Sequence, residues 1–280
     1  MAEVRILYVA TADGVVQLAN PGKSDRWREI GRALVGQDVH AVVASPNDPL
    51  VAFAASAAGT HCTTNGGASW QLVNATPASS LAFDSTGILH AGTTTGTVLS
   101  TADGAAWSIE RVSNAALEHI ALLADGTLIV VTADGTLYQR TQAGWEEYSH
   151  FFPPIRAVAA DSAQPTLYVL GETTLYTPQG TQLQVQAPTG ALVVLSGVQP
   201  VVLFGTASGL LRSDDGGVTA HEVSGPQGVT ALVTPPRFID QAFAGTAGGA
   251  LWFSSDRGRS WTELRAGYTA IHDLAFARAL

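Results

Sequence analysis

A single cysteine, Cys62, excludes any disulfide within this 280-residue chain, and its place in the alternating run THCTT marks it as a small buried apolar residue. Charge is also scarce. Asp, Glu, Lys and Arg make up 13% of the residues, and 14 basic against 23 acidic side chains leave a net charge of −9, which works against a general nucleic-acid or anionic-membrane surface. The opening MAEVRILYVATADG has no basic segment followed by a long apolar run, so no secretory signal is expected and cytoplasmic residence is the expectation. The most apolar stretch, residues 191–211, is cut by Gly197, Pro200 and Gly205 and reads as two buried strands, not a membrane span. There is no GxSxG elbow, and the histidines include no HxxxH pair, so neither serine chemistry, a metal nor a cofactor is expected.

Repetition is plentiful. The segment SSDRGRSWTEL at 254–264 places Ser254, Asp256, Gly258, Ser260 and Trp261 in the pattern SxDxGxxW. Thr63, Asn65, Gly67, Ser69 and Trp70 keep every class of that pattern, and Ser213, Asp215, Gly217 and Thr219 keep it up to Ala220. A looser copy has Ser100, Gly104 and Trp107, with its acid Asp103 one place late. Weaker copies end at Trp27, Trp145 and Leu183, so the terminal column recurs every 37 to 43 residues along the whole chain. A period in that range signals a solenoid, an array or a propeller.

Ahead of each copy stands a small-residue turn and an alternating run, as in TADGTLYQ at 132–139 or TAGGALWF at 246–253. Glycine in the turn supplies a positive φ, and alternation is a strand signal. Each repeat therefore reads as four short strands, the composition of a propeller blade. Residues 4–10 look like a second strand, and IHDLAFAR at 271–278 matches the first strand VHAVVASP at 39–46. The expectation is an all-β, seven-bladed β-propeller of four-stranded antiparallel blades, one domain over 1–280, whose C-terminal strand at 271–280 completes the N-terminal blade and leaves no open sheet edge.

In the recurring turn, a short Asp or Asn side chain accepts from backbone N–H groups nearby, Gly takes the left-handed conformation, and Trp wedges against the neighbouring blade. These residues are read as structural. Their pattern resembles the bacterial neuraminidase repeat, or Asp-box, and the phrase at 41–70 resembles blades of the Asp-box propellers that include photosystem II assembly factors, sortilin-type receptors and xyloglucanases. That resemblance implies architecture far more than activity, since enzymes, receptors and scaffolds share it.

If first strands line the channel, the motif turns all fall on one face and the blade-to-blade connections on the other, where a ligand is expected. Aligned first strands give one column at that mouth: His40, Ser80, His119, Arg156, Ala191, Thr230 and His272, with Asp38, Glu118 and Asp273 nearby. It reads either as a binding ring or as hydrogen-bonded channel residues. The connection YSHFFPPIR at 148–156 carries Phe151 and Phe152 on a stiff loop; they are partner anchors, or they fold over the channel or the next blade. LRAGYTAIH at 264–272, with Arg265 and Tyr268, is a second connection of this kind.

The resemblance to sialidases implies an arginine trio, a Tyr–Glu nucleophile pair and an Asp acid, usually on six blades; here seven repeats are counted and the tyrosines fall in strand patterns. A glycosidase needs two carboxyls at a set separation, and none of Asp38, Glu118, Glu172 and Asp273 is marked as a pair. The expected function is a non-catalytic binding or assembly scaffold for a protein partner, acting through the face opposite the motif turns. A carbohydrate-active propeller, as glycosidase or glycan binder, is the alternative.

Overall fold

The computed structural model describes residues 4–21, 26–235 and 238–279. The turn preceding Trp27 lies partly outside them. Seven four-stranded antiparallel sheets form a closed ring, with no helix among the described residues. The innermost strands, one per blade, are Ile271–Ala279, Val39–Ala44, Ala78–Phe83, Leu117–Leu122, Ala157–Ala160, Pro188–Leu195 and Val229–Val233. Each touches the innermost strand of the next blade all the way round. Blade 1 is closed by its C-terminal strand, which pairs antiparallel with Val4–Thr11 in the register Leu7↔Phe276 and Val9↔Leu274.

Every blade is covered on both faces by a neighbour, which explains the continuous apolar second strands. Successive residues of Val4–Thr11 face opposite ways: Leu7 and Val9 join Phe243, Leu251 and Phe276 toward blade 7, while Ile6, Tyr8 and Ala10 join Val39, Val42 and Ala54 toward blade 2. The core is thus a set of layers between blades. Burying a side chain such as Phe243, fully covered, contributes about 1.5–3 kcal/mol. Near the axis there is less room, and Ala41, Ala157, Ala191, Ala231 and Ala275 fill the inner strands.

This topology fixes two faces. One carries the connections between blades and the second-to-third strand hairpins; it surrounds the channel mouth where the innermost strands begin. The other carries the first-to-second hairpins and the third-to-fourth turns.

Candidate functional site

The recurring turns are built as their residue types demand. The Ser254 hydroxyl donates to Asp256 Oδ1 and accepts from the Gly258 N–H, both at 2.9 Å. Asp256 Oδ1 accepts from the N–H groups of Arg259 (3.0 Å) and Ser260 (2.9 Å), and the Ser260 hydroxyl donates to Oδ2 at 2.6 Å. Trp261 Nε1–H closes on the Gly258 carbonyl at 3.2 Å. Burial opposes ionisation of Asp256, but the hydrogen bonds from Ser260, Ser254 and Arg259 outweigh it and hold the carboxyl below the usual range.

The same bonds recur at Ser213, Asp215, Gly217 and Thr219, and at Thr63, Asn65, Gly67 and Ser69. Trp70 stands edge-on to Tyr8 of blade 1, with ring centroids 6.0 Å apart. In the looser copy the expected Ser100 is replaced by its neighbour. Thr101 accepts from the Gly104 N–H at 2.8 Å, and Asp103 accepts from Ala105 at the same distance, because the turn has one residue fewer between acid and glycine. Trp107 Nε1–H still reaches the Gly104 carbonyl at 3.1 Å.

Each of these turns rests on the blade before it. A Cβ added to Gly258, at φ +80°, would sit 2.8 Å from Leu203; the turn at Gly67 lies against Gln17, that at Gly104 against Phe53, and that at Gly217 against Tyr168 and Leu175.

At the channel mouth the polar residues tie blade to blade. His40 Nε2 lies 2.5 Å from the Ala78 carbonyl, His119 Nε2 lies 3.2 Å from that of Ile155, and the Thr230 hydroxyl donates to that of Ile271 at 2.5 Å. Two positions differ from the sequence alignment, because the innermost strands carry a β-bulge there. Ser79, not Ser80, donates to the Leu117 carbonyl, and Ser80 Oγ is buried without a partner. Thr189, not Ala191, donates to the Val229 carbonyl, and Ala191 is core. His272 Nε2 lies 3.0 Å from Asp38 Oδ1, off the line of a hydrogen bond. One step deeper, the Asp273 carboxylate accepts from the N–H groups of Val42 (2.9 Å) and Leu274 (2.8 Å), and burial pushes its pKa up to about 6. Burial likewise holds His119 below the usual histidine range.

Arg156 keeps a reach into the mouth. Its guanidinium lies 3.7 Å from Glu172 and it lines an open cavity of about 480 Å³ with His119, Pro154, Thr189 and Thr230. The two phenylalanines of the adjoining loop part company. Phe151 is tucked against Tyr176, ring centroids 4.9 Å apart, whereas Phe152 is 84% exposed. Tyr268 is buried and donates to Glu29 Oε2 at 3.2 Å, with Arg265 3.5 Å from the same carboxylate.

A larger cavity, about 680 Å³, lies on the opposite face between blades 3 and 4. Blade 4 joins its third and fourth strands, Thr136–Thr141 and Gly144–His150, by a tight hairpin, so it has no long turn to lay over blade 3. Where Phe53 and Leu203 lie under such turns, the corresponding second-strand residue of blade 3 is His90. Its Nδ1 is 2.8 Å from Ser100 Oγ and its Nε2 is 3.2 Å from Asp84 Oδ2. Burial lowers the His90 pKa and outweighs the opposing pull of Asp84. Trp107 and Trp145 form further walls, Trp145 Nε1–H donates to Glu110 Oε2 at 3.0 Å, and Glu110 is paired with Arg140. The sequence signal for this site was negative: Trp145 keeps the terminal column without the turn that should precede it.

No protein-family model matches this chain, and no curated protein sequence does. Solved structures do. A Lactobacillus plantarum protein aligns over 98% of this chain and 99% of its own at a TM-score of 0.67 and 14% identity. YCF48 bound to D1 peptide aligns over 81% and 80% at 0.62 and 16%. An ancestral GH74 enzyme aligns over 96% of this chain and 44% of its own at 0.61 and 16%. The fold is shared. At such identities the likeness carries fold alone, and the same ring serves a peptide-bound protein and an enzyme.

Proposed function

We propose that this propeller is a non-catalytic interaction scaffold that receives an extended segment of a protein partner across the channel mouth, and that its motif turns are Asp-boxes. The observation that carries this reading is Phe152. It stands 84% exposed on a loop whose adjacent Phe151 is packed down on Tyr176, so an apolar anchor is presented on a fixed support. Arg156 and the half-open cavity beside it supply a hydrogen-bonding neighbour for a peptide backbone or carboxylate. The mouth residues that suggested chemistry are engaged elsewhere: His40, His119 and Thr230 hold carbonyls of the next blade, and Asp273 holds two backbone amides. The YCF48 structure holds a D1 peptide on the same fold, which makes a peptide partner reasonable for this architecture.

The test is affinity capture from source cells with the native protein and with a Phe152→Ala, Arg156→Ala double variant whose fold is checked by circular dichroism. Proteins retained by the native chain and lost from the variant support the assignment. Identical captured sets overturn it.

A further inference from the structure

We infer that the cavity between blades 3 and 4 is a binding site for a short neutral saccharide, separate from the channel mouth. Its volume of about 680 Å³ lies within the usual range of small-molecule sites, roughly 300–1,000 Å³. More telling is why it exists. At four other positions a motif turn fills the corresponding space, over Gln17, Phe53, Tyr168 and Leu203. Blade 4 lacks the turn, and at that one place blade 3 presents a histidine with two polar partners where blades 2 and 6 present Phe53 and Leu203. The turns at Gly104 and Gly258 cover an apolar side chain at this position, whereas the uncovered position carries a histidine held by Ser100 and Asp84.

The charges in the cavity decide the class of ligand. Glu110 is neutralised by Arg140 and accepts from Trp145, while Asp84 accepts from the N–H groups of Thr86 and Ile88 as well as facing His90. Glu110 and Arg140 cancel, which leaves the carboxylate of Asp84, held by backbone amides, as the excess charge, so an anionic ligand is repelled. His90, lowered by burial, is neutral at pH 7; with its Nε2–H toward Asp84, Nδ1 accepts the Ser100 proton. The lone pairs of Ser100 are then free to accept from a ligand hydroxyl, and the carboxylate oxygens of Glu110 accept others. Indole walls from Trp107 and Trp145 lie beside these groups. A pyranose offers the matching surfaces, an edge of hydroxyls and an apolar face of C–H groups.

The test titrates cellobiose, lactose, maltose and the anionic sialyllactose into ¹⁵N-labelled full-length protein and follows the tryptophan indole N–H signals. At least one neutral disaccharide is expected to shift Trp107 and Trp145 while leaving Trp261, on blade 7, in place. His90→Phe, which copies blade 2, and the milder Ser100→Ala are each expected to weaken that binding by about tenfold or more. Phe152→Ala is expected to leave it unchanged, so this site and the channel-mouth assignment stand or fall separately. No shift with any of the three neutral sugars, equal binding of sialyllactose, or undiminished binding by a folded Ser100→Ala protein overturns the inference.

Discussion

His40 Nε2 lies 2.5 Å from the carbonyl oxygen of Ala78, which opens the innermost strand of the next blade. The same reach recurs from His119 to Ile155 and from Thr230 to Ile271, the last closing the ring between its final and first blades. The side chains that reach across sit at or beside β-bulges of their own strands, where the ladder skips His40, Glu118 and Thr230, so His40 and Thr230 themselves are freed from the regular pleat. The polar mouth of the channel is therefore a seam.

Removing one stitch should cost what a buried hydrogen bond contributes, about 1 kcal/mol, with a fall in Tm of roughly 2–4 °C for a chain of this size. Thr230→Val and Ser79→Ala are expected to show that fall by thermal denaturation, with unchanged elution in size-exclusion chromatography. Ser80→Ala is expected to show none, since its hydroxyl is buried without a partner. A fall for Ser80→Ala equal to that of Ser79→Ala contradicts the bulged register.

The motif turns should fail in acid. Burial works to raise the Asp215 pKa, but hydrogen bonds from Thr219, Ser213 and Val218 overcome it and bring the carboxyl down to about 2. A depressed folded pKa contributes stability that is present above the unfolded value near 4 and is lost as pH falls toward 2. Asp215→Asn, which copies the Asn65 turn of blade 2, should flatten that part of the Tm–pH curve. An undiminished acid slope in the variant would falsify the turn's part in acid sensitivity. Trp261→Ala, which removes the wedge between blades 6 and 7, should cost about 3 kcal/mol at any pH.

Asp273 has the opposite sign. Burial raises its pKa to about 6, so ionisation is harder in the folded ring than in the unfolded chain. Stability tied to this group is fully present below about pH 4 and declines as pH rises through 6. The expected loss is at most about 3 kcal/mol, from roughly two units of displacement. Asp273→Asn should abolish the decline between pH 4 and 7 in a Tm series. A slope that persists in the variant assigns the effect to other groups.

The turns, the strands and the count of seven were legible in the linear chain because their causes are local. A glycine at positive φ, a hydroxyl four residues before it and an acid between them close a turn whatever lies nearby, as at Ser254, Asp256 and Gly258. Ring closure was legible too, since the strand Ile271–Ala279 repeats a pattern whose partners were missing at the other end. Which of Ser79 and Ser80 crosses to the next blade depends on a bulge that pattern alone does not mark. Which of two adjacent phenylalanines is exposed depends on Tyr176, in the next blade. The cavity beside His90 exists because a turn is short some fifty residues further along, and only the packing of blade 4 on blade 3 turns that local brevity into an opening. Sequence determined what each blade is, through contacts within a few residues; the tertiary structure decided what the spaces between blades hold, because those surfaces are shared by residues a whole repeat apart.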